Sequence, residues 1–205
     1  MTNRYPRPMS RFWVFGYGSL MWRPGFAFAE SAPARLAGAH RALCVYSWVH
    51  RGTREEPGLV LGLDRGGSCR GVAFRVEEAE REATLAYLRA REQITGVYRE
   101  AWRPVRLERP GASVVTALCF LVDRGHAQYA GTLPRERQLE LVRDSAGASG
   151  ANRDYVLSTA AHLRELGLRD DALFWLAARL GRAEPGLPSE APEAARPVPG
   201  ADVPE

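Results

Sequence analysis

Two stretches of this sequence carry residues whose types and spacing could do chemistry. The first is Trp13-Val14-Phe15-Gly16-Tyr17-Gly18-Ser19-Leu20-Met21-Trp22, an apolar aromatic strand running into a glycine-punctuated turn. Two glycines two residues apart let backbone N–H groups turn toward one point, which is how a chain can hold a carboxylate or phosphate without dedicated cations. The same pattern also fits a buried strand with a tight turn. The second is Glu92, which follows Tyr87-Leu88-Arg89-Ala90-Arg91 at the predicted C-terminal end of a helix. A carboxylate there faces the negative end of the helix macrodipole, which disfavours ionisation, and partial burial acts in the same direction. Both move a glutamate toward the pKa that a general acid or base needs near neutrality. Read locally, Glu92 also fits an ordinary solvated surface position.

Other chemistries are poorly supported. Gly16-x-Gly18 lacks the third glycine of a dinucleotide fingerprint, because Met21 stands in its place and no βαβ unit follows. Ser19 is not in a G-x-S-x-G elbow, and no histidine with a matching acid stands in a recognisable triad order. His40, His50, His126 and His162 are scattered without H-x-x-x-H spacing. His50 opens the polar segment His50-Arg51-Gly52-Thr53, where it fits a substrate contact or a surface or hydrogen-bonded structural histidine. All 28 basic residues are arginine, so Schiff-base chemistry, a P-loop lysine and a Ser-Lys dyad are excluded.

The elements that position these residues follow from periodicity. A first strand is predicted over 12–17, and a long, bent strand over 35–49, with Gly38 marking a bulge. Residues 59–63 and 69–76 read as a hairpin around the turn Asp64-Arg65-Gly66-Gly67-Ser68. Over 77–91 the period becomes helical, with Glu77, Glu78 and Glu80 crowding the first turn. Two further strands, 96–107 and 113–122, flank the turn at Pro110-Gly111. After Pro134 the pattern is helical. One helix runs from Pro134 to Gly147, Asn152 is placed to N-cap a second that stops at Gly167, and Asp170 opens a third that ends at Gly181.

A chain of 205 residues, 45% hydrophobic, suits one domain with a real core. We expect a loose arm over 1–11, a single domain over 12–181 and a disordered tail over 182–205, where six prolines occur in 24 residues. The net charge of +4 arises from arginines interleaved with 24 acids, which is not a nucleic-acid patch. Cys44, Cys69 and Cys119 form no C-x-x-C or zinc spacing and read as reduced core residues. With no apolar run of membrane-span length, a soluble, cytoplasmic protein without membrane or nucleic-acid partners is expected.

Taken together these residues resemble the ChaC family of γ-glutamylcyclotransferases, and specifically its bacterial branch. Phe15-Gly16-Tyr17-Gly18-Ser19-Leu20 is similar to the family's substrate loop. His50-Arg51-Gly52-Thr53, Pro57-Gly58 and Gly71-Val72-Ala73 are similar to its central sheet. Arg91-Glu92 with Thr95-Gly96-Val97-Tyr98 is similar to the segment carrying its catalytic glutamate, and Ser149-Gly150-Ala151-Asn152 with Tyr155 to its helical signature. The spacer Gln93-Ile94-Thr95-Gly96-Val97 is longer than in vertebrate-type members.

The resemblance implies an α+β fold: a small, mostly antiparallel β-barrel of the γ-glutamylcyclotransferase-like type with peripheral helices and a helical C-terminal third. It implies cleavage of glutathione to 5-oxoproline and Cys-Gly without metal or cofactor, with Glu92 as general base and acid. The substrate-binding set would be Val14, Phe15, Gly16, Tyr17, Gly18, Ser19 and Leu20, with Tyr98 and Tyr155 in the walls and an arginine for the glycyl carboxylate. The alternatives are a cyclotransferase for other γ-glutamyl amines or conjugates, and an arginine-rich nucleic-acid or regulatory binding module. The oligomeric state is not legible.

Overall fold

A computed structural model describes residues 12–111 and 113–181. The expected arm and proline-rich tail lie outside the described residues. Five strands close into a barrel: β1 (Phe12–Gly16), β2 (Glu30–Ser47), β3 (Gly58–Val76), β4 (Tyr98–Leu107) and β5 (Val114–Val122), in the ring order β1-β3-β2-β4-β5. Four α-helices lie among the described residues: α1 (Arg81–Glu92), α2 (Arg135–Asp144), α3 (Asn152–Glu165) and α4 (Asp171–Leu180). A two-residue ribbon, β6 (Ala146–Gly147) with β7 (Gly150–Ala151), joins α2 to α3.

Strand β1 is buried along its whole length because it is covered on both faces. It runs antiparallel to β3 and parallel to β5, with Val14 opposite Phe74 and Leu118. Its side chains alternate as strand geometry requires. Trp13 and Phe15 join the large core that continues into α2, α3 and α4, whereas Phe12 and Val14 meet Leu88 of α1, Leu118 and Phe120. Alternate residues of β1 are thus fixed by two different layers, and the loop that follows inherits a rigid origin.

The expected hairpin within 59–76 does not form. Strand β3 runs unbroken for 19 residues and pairs with the 18 residues of β2. Gly66 and Gly67 do adopt the left-handed backbone that suggests a turn, at φ +97° and +67°, but Gly38 opposite them does so too, at φ +80°. Ala37 pairs with Ser68 and Ala39 with Arg65, so both strands bulge at the same level and the ribbon bends without reversing. Strands this long can wrap a barrel only if they bend.

Asn152 is the second correction. It is the first residue of α3, but its side chain makes no cap bond. It is fully buried and instead acts as a neighbouring strand for β3. Its Nδ2 donates to the Leu59 carbonyl at 2.8 Å, and its Oδ1 accepts from the Leu59 N–H at 2.7 Å. Asp170 does cap as expected, its Oδ1 accepting from the Leu173 N–H at 3.1 Å. No helix among the described residues is long and apolar enough to cross a membrane.

Candidate active site

A cavity of about 440 Å³ opens where the end of β1, the middle of β3, the end of α1 and the start of α3 converge. It brings together Tyr17, Gly18, Ser19 and Leu20 from the loop with Glu92, Tyr98 and Tyr155. Val14, Phe15 and Gly16 do not line it. The first two are fully buried core side chains, because strand alternation points them into opposite packed layers.

The glycines act differently from the expectation of a turn needing unusual backbone. Neither Gly16 nor Gly18 has a positive φ. A Cβ on Gly16 would lie 3.2 Å from Leu20 Cβ and 3.3 Å from Met21 N, so glycine lets the following 3-10 turn, Ser19–Met21, fold back on the strand end. A Cβ on Gly18 would meet only Leu61 Cδ1, at 3.8 Å, so glycine there leaves space in the cavity.

Two arginines hold the loop. Arg41, whose side chain is nearly buried, donates from Nε to the Tyr17 carbonyl at 2.6 Å and from Nη2 to the Arg70 carbonyl at 2.8 Å, and pairs with Asp170 at 3.4 Å. Arg91 donates to Ser19 Oγ at 2.8 Å, to the Arg23 carbonyl at 2.8 Å and to Tyr87 Oη at 2.9 Å. Its Nε also lies 3.2 Å from Glu92 Oε1. One guanidinium therefore ties the loop to the end of α1 and to the carboxylate.

Glu92 is the last residue of α1 and retains 16% of its side-chain surface. Removal from water raises its pKa above the ordinary carboxylate value, and the Arg91 guanidinium opposes that rise. Three phenols share this environment. Burial raises the pKa of Tyr17, Tyr98 and Tyr155, and the Glu92 charge pushes each further in the same direction. They stay protonated and can act as hydrogen-bond donors. Tyr98 donates to the Leu61 carbonyl at 2.7 Å, and the Tyr155 oxygen accepts from the Leu61 N–H at 3.2 Å. Tyr155 keeps its own proton for the cavity, with no acceptor among the described residues.

The far wall comes from the segment between β2 and β3. Gly52 and Gly58 touch backbone to backbone: a Cβ on Gly52 would lie 2.1 Å from Gly58 N. Gly147 presses on the same segment, with Val49 O at 2.5 Å from a built Cβ. This packing explains a histidine-arginine-glycine run followed by Pro57-Gly58, because only residues without side chains allow three backbones to approach so closely. It presents Arg51, which donates to the Ser149 carbonyl at 2.6 Å and lies over the Tyr155 ring, and His50, whose Nδ1 is 2.9 Å from Ser149 Oγ.

Sequence reasoning did not single out Arg23, Arg51, Leu61, Arg91, Ile94 or Ser149 as lining residues. Arg91 had one signal, its position four residues after Tyr87 and next to Glu92. The arginines as a group were masked by their abundance. A second cavity of about 420 Å³ lies on the barrel side, but its acids are already engaged: Asp64 by Arg124, Asp123 by Arg99 and Glu100 by Arg89. Among the described residues no group of three His, Cys, Asp or Glu side chains could hold a metal ion.

The closed barrel thus carries, around one cavity, a largely desolvated glutamate, three protonated tyrosines and a glycine loop held by two arginines. Residues 12–183 match the family model described as ChaC-like protein, and the chain belongs to the ChaC family. It is 38% identical over 161 residues to the glutathione-specific gamma-glutamylcyclotransferase of Escherichia coli K12, covering 78% of this chain and 69% of that one. It is 30% identical to human glutathione-specific gamma-glutamylcyclotransferase 1, over 81% of this chain and 80% of that one. The crystal structure of a glutathione-specific γ-glutamylcyclotransferase from yeast superposes with a TM-score of 0.76 at 20% identity, covering 85% of this chain and 97% of that one, which shows the shared fold.

Proposed function

We propose that this chain is a glutathione-degrading γ-glutamylcyclotransferase that releases 5-oxoproline and Cys-Gly, with Glu92 moving the protons. The observation that carries the reading is the convergence of Glu92 with the loop Tyr17-Gly18-Ser19-Leu20 in one cavity, on a chain whose family relatives bear that activity in their names.

A γ-glutamyl substrate contains its own nucleophile. Glu92 accepts a proton from the α-ammonium; the freed amine nitrogen forms a bond to the γ-carbonyl carbon, and the carbonyl electron pair moves to oxygen. Collapse of that intermediate breaks the bond to the cysteinyl nitrogen, which takes the proton from Glu92 as it leaves. The ring nitrogen gives up its second proton, to Glu92 and from there to the released amine or water, so that 5-oxoproline departs as the neutral lactam and Cys-Gly as the ammonium form or with the proton passed to solvent. The carboxylate ends the cycle as it began, and no enzyme nucleophile is consumed. The protein supplies geometry and proton transfer, worth roughly 7–11 kcal/mol for the best-oriented intramolecular reactions and about 10²–10⁴-fold for one positioned acid–base group. The loop amides at Gly18, Ser19 and Leu20 and the Tyr155 hydroxyl are the donors for the α-carboxylate or the oxyanion. Tyr98 holds the Leu61 backbone and so fixes the part of the cavity wall that β3 supplies.

Incubating the protein with glutathione tests this directly. Stoichiometric 5-oxoproline and Cys-Gly are expected, and a protein that forms neither is not this enzyme. The proton-transfer role has its own test in the pH profile. Glu92 must be ionised to accept the proton, and burial holds its pKa high, so kcat/KM should rise with pH through a value above the ordinary carboxylate range. Arg91 opposes that rise, so Arg91→Met should move the limb to higher pH. A limb that stays in place would remove the Arg91–Glu92 pair from the control of protonation.

A further inference from the structure

The nitrogen-bearing side chains that line the candidate site are not equally committed. Arg51 is spent on the Ser149 and Ala151 carbonyls, at 2.6 and 3.3 Å, and on the Tyr155 ring. Arg91 makes three hydrogen bonds and the ion pair with Glu92. His50 is engaged by Ser149 Oγ. Arg23 differs. Its backbone is pinned at both ends, the N–H donating to the Ser19 carbonyl at 2.8 Å and the carbonyl accepting from Arg91 at 2.8 Å. Arg23 is an exposed residue of the cavity lining, and its side chain has no hydrogen-bond or ion-pair partner among the described residues.

An anchored backbone with an uncommitted planar cation is an arrangement for receiving a carboxylate in bidentate fashion. The reacting end of a γ-glutamyl substrate must sit at Glu92, which is the half-buried acid of the cavity. A second carboxylate cannot share that region without repulsion, so it must lie toward the mouth. The two-residue leaving group of a γ-glutamyl tripeptide spans about 7 Å when extended. Arg23 is joined to Glu92 through the single guanidinium of Arg91, which places it at the edge of the same site.

We propose that Arg23 receives the C-terminal carboxylate of the leaving peptide and is the residue by which the site distinguishes a free C-terminus from an amidated one. This rests on the reading of the site as a γ-glutamylcyclotransferase. The test compares glutathione with its glycyl carboxamide, measuring 5-oxoproline release by the wild type, Arg23→Gln and Arg23→Lys. The wild type should favour the acid by about ten- to a hundredfold in kcat/KM, the scale of one charge-assisted hydrogen-bonding contact, with the difference mainly in KM. Arg23→Gln should fall to the carboxamide's level on glutathione while keeping wild-type kcat/KM on the carboxamide, and Arg23→Lys should recover part of the preference. Equal losses on both substrates would show that Arg23 only supports the loop, and a wild type indifferent to amidation would leave no carboxylate contact to assign; either result overturns the proposal. Release from neither substrate by the wild type would overturn the enzymatic reading itself and this one with it.

Discussion

Glu92→Gln should leave a folded protein that releases 5-oxoproline from glutathione at least about 10²–10⁴-fold more slowly than the wild type, with KM little changed. Glutamine keeps the size and shape of the glutamate but cannot accept a proton from the substrate ammonium. The same substitution should not cost stability near neutral pH. The folded-state pKa of Glu92 is raised, so the fold favours the protonated carboxyl. That contribution is complete below the unfolded value of about 4.3 and is lost as pH rises through the folded value. Glutamine carries no charge and escapes the loss, so its melting temperature should equal or exceed that of the wild type at neutral pH and gain nothing in acid. Thermal melts across pH, run beside a 5-oxoproline assay, read both effects. Near-wild-type turnover in the variant would remove Glu92 from the mechanism.

Asn152→Ala should have the opposite profile, a large loss of stability from a residue outside the cavity. Its amide satisfies both the N–H and the carbonyl of Leu59, and Leu59 is fully buried. Truncation leaves two buried backbone groups without partners, each costing about 1–3 kcal/mol, so a total of roughly 2–6 kcal/mol is expected. Leu59 lies two residues before Leu61, whose backbone is held by the Tyr98 and Tyr155 hydroxyls, so activity should fall in the protein that remains folded. Denaturant unfolding gives the stability loss. A variant with an unchanged midpoint would mean that water replaces the amide and that the α3–β3 junction is not dry.

The elements were legible where one local signal sufficed. The continuous apolar, aromatic run of β1, the helical period leading to Glu92 and the cap at Asp170 follow from side-chain type and spacing and from an oxygen atom that reaches its own helix. Gly66-Gly67 misled because two left-handed glycines in one strand look the same whether the chain reverses or a paired strand bulges with it. The bulge at Gly38 was legible on its own, but its pairing with Gly66-Gly67, 28 residues later in the chain, is beyond any local pattern. Asn152 misled because an amide before a helix has the chemistry to cap it, and only the approach of Leu59 gives that amide a better use.

The sequence by itself determined the residue types available for chemistry. It excluded lysine-based mechanisms, supplied a glycine-punctuated loop after a buried strand, placed a glutamate at a helix end and carried the motifs of the ChaC family. Tertiary structure decided which of these residues share a cavity: Tyr17, Gly18, Ser19 and Leu20 reach it, while Val14, Phe15 and Gly16 remain in the strand below. It also decided how the arginines divide between holding the loop and lining the cavity. The physical reason is that a side chain's role at a site depends on desolvation and on partners distant in sequence. Arg41 is fixed by carbonyls 24 and 29 residues away, and the Glu92 carboxyl is raised by the barrel and loop that close over it.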